Sequence, residues 1–357
     1  MKISIALTIL ATGCMTADDT DIVDDAASVT GIAISGHQLL KDGAPFEVRG
    51  FNMVGALTPA WCKQGSGVAA RAHFGTTELT REVSGWHANT IRLQVSQRGL
   101  GDSSLAPADI TAYLQMLEDD VALARSLGLV VILSMQDQSI GCGNVHPLPS
   151  SQTVAAWQKL APAFASQPDV MFELFNEPQN GHTAADWPQW RNGGAGPIDN
   201  LGDPAIGHQQ LVTTIRNTGA KNVILADGGD HAEHLDNITP FLLTEKTGRG
   251  IGYVVHPYYY TPGAAYWQAS YGFLTTSRVV VATEWNYKPD DCGGKDEMLA
   301  PTFLAWLHDH GIGITGHAFD YLGTLVADWN WTPTKCGTAS PGAGAVLKSW
   351  YATLAAQ

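Results

Sequence analysis

Residues 170–178 read VMFELFNEP, an apolar run of strand length that closes on Asn176, Glu177 and Pro178. Residues 279–286 read VVVATEWN, a second such run that closes on Glu284. A carboxylate ending an apolar strand is costly unless it is paired or used, so a fold that gathers strand ends in one place is called for. Working outward from these two runs, six more of the same kind appear: Phe46–Asn52, Thr90–Val95, Val130–Ser134, Asn222–Asp227, Gly252–His256 and Gly313–Ala318. All eight are continuous or rich in Val and Ile, as strands covered on both faces should be. Helical patterns fall between them: Thr76–Ser84, Ala108–Leu127, Thr153–Ala165, Pro204–Asn217, Asp296–His310 and Ala343–Ala355. In Ala108–Leu127, Ile110, Leu114, Leu117, Val121 and Ala124 share one stripe, and Gly128 stops the helix. The helical pattern is weakest after the fifth and sixth strands. Strand–helix alternation repeated eight times predicts a single closed (β/α)8 barrel, an α/β fold. An open doubly wound sheet is the alternative, but no G-x-G-x-x-G follows the first strand. Upstream, Gly36–Gly50 reads as an N-terminal β-hairpin turning at Asp42-Gly43.

Composition narrows the function. The chain has 357 residues, 45% hydrophobic and 15% charged, which excludes a wholly disordered chain and a polytopic membrane protein. Lys and Arg number 20 against 34 Asp and Glu, a net charge of −14 that repels phosphate backbones and argues against a nucleic-acid partner. Eleven Trp and ten Tyr supply flat faces beyond the needs of a core, which suits a stacking ligand such as a sugar.

The first fourteen residues, MKISIALTILATGC, place one Lys before a short apolar run and small residues before Cys14. The run is too short to span a membrane and predicts a secretory signal. Ala11-Thr12-Gly13-Cys14 resembles a bacterial lipobox, which would lipidate Cys14. Residues 15–30, with Asp18, Asp19, Asp21, Asp24 and Asp25, then read as an acidic tether, and 31–357 as the catalytic barrel. The expectation is an exported, monomeric protein, a bacterial cell-surface or outer-membrane lipoprotein or else secreted, that meets the membrane only through its lipid. Four further cysteines suggest two disulfides in an exported protein. Cys292 and Cys336 follow the neighbouring seventh and eighth strands, so Cys292–Cys336 with Cys62–Cys142 is the expected pairing.

In a (β/α)8 barrel the C-terminal strand ends form the active site, and two carboxylates facing across that mouth are what glycoside hydrolysis requires. With these residues in view, the chain resembles glycoside hydrolase family 5, the cellulase and mannanase family, from Gly36 to the C-terminal helix. Asn176-Glu177-Pro178 resembles the family's acid/base signature and Glu284 its nucleophile. Arg92 in Asn89-Thr90-Ile91-Arg92-Leu93 matches the strand-two arginine, and His256-Pro257-Tyr258 the His-x-Tyr after strand six. Arg49-Gly50-Phe51-Asn52 resembles the first strand. The resemblance implies a retaining hydrolase of β-linked glucan, mannan or a related oligo- or polysaccharide, with no cofactor and no metal. Arg92 and a hydrogen bond from Tyr258 would keep Glu284 ionised. Glu177 would hold its proton in a drier setting, Asn176 would hold the sugar 2-hydroxyl, and His256 would orient the sugar or Glu177. Glu173, four residues deeper than Glu177, is expected to pair with an interior arginine.

Trp86, Trp157, Trp306 and Trp350 fall in or near helices and read as core. Trp61, Trp187, Trp190, Trp267, Trp285, Trp329 and Trp331 fall in loops at the catalytic face, where about half should touch ligand; Trp61, Trp285 and Trp329 are assigned to substrate. Two positions depart from the family. Gln136 stands where strand three commonly ends in a histidine, and His317 where strand eight commonly offers a tryptophan. Both are expected to meet the sugar and to turn the protein away from cellulose. His231-Ala232-Glu233-His234 faintly resembles a metal cluster, but no Cys or third His follows at ligand spacing, and a solvated loop is the reading. A non-hydrolytic carbohydrate-binding barrel and a metal-dependent barrel hydrolase are the competing functions, since fold alone decides none of them.

Overall fold

The structure, a computed structural model, describes residues 30–63, 66–136, 146–197, 204–287, 295–336 and 340–356. The signal segment, Cys14, nearly all of the tether, and Cys142 and Cys292 lie outside these residues. Cys62 and Cys336 are each in a disulfide.

Eight parallel strands close into a barrel. They are β1 (Arg49–Met53), β2 (Thr90–Ser96), β3 (Val130–Gln136), β4 (Val170–Glu173), β5 (Ile224–Asp227), β6 (Ile251–Val255), β7 (Val280–Ala282) and β8 (Gly313–Gly316). Each pairs with the next in chain order, and β8 returns to β1 through Ile314 opposite Arg49. Every expected strand is present, with no end shifted by more than three residues. Helices Pro107–Ser126, Ser151–Phe164, His208–Asn217, Lys295–Asp309 and Ala343–Ala355 flank the barrel.

Alternation along the strands sorts the side chains into two layers. Ile91, Leu93, Val95, Leu133 and Phe172 face outward and pack with helix residues such as Leu117, Val121, Trp157 and Leu160 in one large core. A second cluster, with Val130, Ile132, Met171, Leu225 and Val254, fills the barrel's lower interior. Ile32 and Leu39 from the N-terminal strands join it and plug the bottom. Toward the top the inward positions turn polar: Asn52, Arg92, Gln94, Ser134, Glu173, Asp227 and Thr283 are all buried. The β8–β1 seam is tied by the C-terminal helix. Tyr351 Oη donates within 2.7 Å of Ile314 O and 2.9 Å of Gly50 O, and it accepts from Gly50 N–H at 3.1 Å. Gly50 has no room for a side chain, because a Cβ there would stand 2.2 Å from Thr90 O.

Three local expectations are corrected. The N-terminal unit is three antiparallel strands, Ile32–Ser35, Gln38–Lys41 and Ala44–Pro45, rather than a hairpin over 36–50. Asp42 and Gly43, at φ 52° and 79°, make the expected turn, but Arg49 and Gly50 belong to β1. The helix expected from Pro204 begins at His208, because Pro204–Ile206 pairs with Gly193–Pro197. Gly207 permits that crossing: a Cβ there would lie 2.3 Å from Asn192 C. The helix over 76–84 is α only for Thr76–Thr80 and then widens to a π-turn at Arg81–Gly85. After β5 and β6, where helical periodicity is weakest, the chain makes only an irregular turn at Gly229–Ala232, the short helix Ala264–Ser270, and 3-10 turns at Thr239–Phe241 and Gly272–Thr276.

Candidate active site

Arg92 organises the polar layer. It points inward from β2 and is fully buried, so its N–H groups must find protein acceptors. Nε donates to the Glu173 carboxylate at 3.0 and 3.1 Å; Nη1 donates to Asn52 Oδ1 at 2.5 Å and to Glu284 Oε1. Nη2 donates to Ser134 Oγ at 2.8 Å, to Asn176 Oδ1 at 2.6 Å and to Glu173 Oε1. Burial opposes the guanidinium charge, but Glu173 and Glu284 outweigh it and hold the proton firmly. Glu173, also bonded by Ser134 Oγ–H at 2.8 Å, is thus the partner of the interior arginine.

Glu284 follows β7 and is buried beneath the mouth. Burial alone would raise its pKa. The positive charges of His317, His256 and Arg92 overcome that and hold it well below the usual carboxylate range. Two histidines therefore reinforce the expected arginine. Tyr258 Oη donates to Glu284 Oε2 at 3.0 Å and Gln94 Nε2 to Oε1 at 3.3 Å. Burial and the Glu284 charge push the Tyr258 phenol far up, so it remains a donor.

Glu177 sits where the chain leaves β4 with φ 51°, the left-handed region. Its N–H donates to Asp227 Oδ2 at 3.0 Å, a contact that pins the turn. His256 Nδ1 lies 3.0 Å from Glu177 Oε1, and its Nε2 lies 3.0 Å from Thr283 Oγ1. Burial opposes a charge on His256, but Glu284, Glu177 and Asp227 around it push its pKa up to about 9. Asp227 itself is pushed well up by burial and by Glu173. Oxygens of Glu177 and Glu284 lie within 4.8 Å of one another. Of the two carboxyls Glu177 is the wetter, at 17% side-chain exposure against 6% for Glu284. The expectation of a drier Glu177 is corrected: Glu177 opens toward the mouth, while the ion-paired Glu284 carboxylate is the more buried of the two.

The structure brings Glu177, Glu284, Arg92, Asn176, His256 and Tyr258 into one hydrogen-bonded constellation. His317 Nε2 stands 3.9 Å from Glu284 Oε2, and its backbone is held by Trp285 O at 2.9 Å and by Asn286 Nδ2–H at 2.5 Å. Gln136 closes β3, buried, with an Nε2 that has no hydrogen-bond partner among the described residues. Trp285 does not join them. It is fully buried against Tyr260, Tyr287 and Phe303, because the residue after Glu284 points outward between barrel and helices. Trp187, Trp190 and Trp267 are core for the same reason of burial. Trp61 and Trp329 are half-buried, each with a face already covered: the Arg98 guanidinium lies 5.2 Å from the Trp61 ring, and His73 stacks on Trp329 at 3.8 Å. No motif singles out Asn52, Gln94, Ser134, Asp227 or Thr283, which complete the buried polar layer. Their signal was a polar residue within two positions of the end of an otherwise apolar strand run.

The family model for cellulase, glycosyl hydrolase family 5, matches residues 39–320. Among solved structures, a β-glucanase from Saccharophagus degradans superposes with TM-score 0.68 at 21% identity, covering 91% of this chain and 94% of its own. An endocellulase from the archaeon Pyrococcus horikoshii gives 0.65 at 17%, covering 90% and 99%. The catalytic domain of a Thermobifida fusca endoglucanase, solved with cellotetraose, gives 0.64 at 18%, covering 90% and 97%. No curated protein matches the chain in sequence.

Proposed function

The chain belongs to glycosyl hydrolase family 5 and is a glycosidase, and on that premise we propose that it cleaves a β-linked glycan by double displacement. Glu284 is the nucleophile and Glu177 the acid/base. The observation that carries this is the approach of the two carboxylates to within 4.8 Å while one of them is held ionised. Retaining hydrolases place their carboxyls about 5–5.5 Å apart, whereas inverting ones leave about 6.5–9.5 Å for a water.

Each group then has a task. Glu177 gives its proton to the glycosidic oxygen as Glu284 attacks the anomeric carbon, and the carboxylate left behind meets His256 at 3.0 Å. Arg92 and Tyr258 keep Glu284 oriented, one on each oxygen. Asn176, locked to Arg92 through its Oδ1, keeps its amide N–H free to donate to the sugar 2-hydroxyl. In the second step Glu177 removes a proton from water, which attacks the glycosyl ester.

Specificity is assigned to His317 and Gln136. Gln136 offers a buried donor without an acceptor among the described residues, a group that a ligand oxygen would satisfy. His317 offers a smaller ring than tryptophan and a polar edge near Glu284. A β-glucan, mannan or related glycan other than cellulose is the substrate class this supports. Export on a signal peptide, lipidation at Cys14, a monomeric state and the pairing Cys292–Cys336 with Cys62–Cys142 belong to the same reading.

Leaving-group chemistry tests the assignment. Glu284→Ala should abolish turnover of every substrate. Glu177→Ala should keep cleaving aryl glycosides whose phenol is a good leaving group, while losing glycans that need protonation. Equal losses on both substrate types would remove Glu177 from the acid role.

A further inference from the structure

The loops after β4 and β5 carry a side-chain cluster that glycoside hydrolysis leaves unused. His182 Nδ1 lies 3.1 Å from both carboxylate oxygens of Asp236, and His234 Nδ1 lies 2.9 Å from Asp236 Oδ1. The two imidazoles stack at 3.7 Å with 8° between their planes. One candidate ligand atom from each of the three residues lies within 4.8 Å of the other two. The frame around them is fixed. The buried Trp187 indole N–H donates to the carbonyls of both His182, at 3.1 Å, and Asp236, at 2.9 Å. The two loops are also bonded directly, Asp230 N–H to Asn180 O at 2.6 Å and His231 N–H to Pro178 O at 3.1 Å.

We propose that His182, His234 and Asp236 form a binding site for a divalent transition-metal ion, with zinc the best match. Two imidazole nitrogens and one carboxylate are a donor set for zinc, whereas calcium and magnesium require mostly oxygen. Zinc–ligand bonds of about 2.0–2.2 Å put tetrahedral ligand atoms about 3.3–3.5 Å apart. The separations to Asp236, 2.9 and 3.1 Å, need to open by only about half an ångström to meet that. The parallel rings do require a change, since their lone pairs run side by side instead of converging. His182, with a third of its side chain exposed, is the ring free to swing. His234 is held: its Nε2 lies 3.3 Å from Tyr266 Oη, an acceptor for the Nε2–H of a histidine that ligates through Nδ1. Asn237 Nδ2–H supports the carboxylate likewise, at 3.0 Å from Asp236 Oδ2. Solvent supplies the fourth ligand at this partly exposed site. Of the motif at 231–234 only His234 belongs to the site; Asp236 lies just beyond it and His182 arrives from the preceding loop. An ion here would clamp the loop that follows the acid/base Glu177.

The test is calorimetric titration of zinc chloride into the full chain after treatment with EDTA. One equivalent should bind, and the midpoint of thermal unfolding should rise with zinc concentration, as any ligand of the native state requires. His182→Gln and Asp236→Asn should each weaken binding at least about tenfold, with melting in EDTA showing that both variants fold. His182→Gln should leave aryl-glycoside hydrolysis in EDTA unchanged. Glu177, His256 and Glu284 also offer converging atoms within 4.8 Å, so Glu284→Gln should leave zinc affinity intact. Failure to bind zinc, binding that survives both loop variants, or binding lost in Glu284→Gln would each overturn the proposal.

Discussion

Replacing Arg92 by Lys keeps the charge and removes the fork. The guanidinium donates to five residues, Asn52, Ser134, Glu173, Asn176 and Glu284, in a site with no exposure. Lysine has three N–H donors against five and no planar geometry. At least two buried acceptors lose their donor, at about 1–3 kcal/mol each, and breaking a buried ion pair costs about 3–5 kcal/mol. We therefore expect Arg92→Lys to destabilise the fold by about 3–5 kcal/mol. Unfolding entropy near 2.1 cal/mol/K per residue converts this to a fall of about 4–7 °C in Tm for a chain of this length. Calorimetry in the absence of metal measures it. The loss should extend to catalysis, because Asn176 and Glu284 are both released: kcat should fall at least about a hundredfold, comparable to removing one preorganised transition-state donor. A variant that melts with the wild type and turns over normally would refute the claim that this guanidinium organises the site.

Two further outcomes follow from the same residues. His317→Trp restores a stacking face worth about 0.5–1.5 kcal/mol, so hydrolysis of soluble cellulose derivatives should rise about two- to tenfold relative to other β-glycans. A glycan panel decides this, and an unchanged preference would remove His317 from specificity. His256 gives a pH dependence of stability. Its pKa is about 9 in the fold against an ordinary 6.5, so its stabilisation is fully present below pH 6.5 and is lost as pH rises through 9, by of order 3 kcal/mol at most. Urea unfolding at pH 6.5 and 9.5 should show the loss, and His256→Gln should flatten it; a curve identical in that variant would locate the effect elsewhere.

Much of this architecture was legible in the chain. Continuous or Val/Ile-rich apolar runs marked all eight strands, because each is covered on both faces. Pro204–Ile206 was misread as helix because short pairing with Gly193–Pro197 depends on a distant partner and on the space that Gly207 leaves. At the site, strand-end glutamates stood out as charges after apolar runs, whereas Asn52, Ser134 and Asp227 are ordinary polar residues whose meaning comes from Arg92 and Glu177 beside them. Trp285 was assigned to substrate by its neighbour Glu284. Alternation sends adjacent residues to opposite faces, and the tryptophan lies in the core. His182 and His234 belong to different loops, and no spacing rule joins them.

The central claim is that Glu284 forms a glycosyl ester across a cleft too narrow for an inverting water. The most direct measurement is proton NMR of the first product anomer released from a β-linked oligosaccharide, recorded before mutarotation. The account predicts that the β-anomer appears first and the α-anomer grows in later. Initial release of the α-anomer would contradict it.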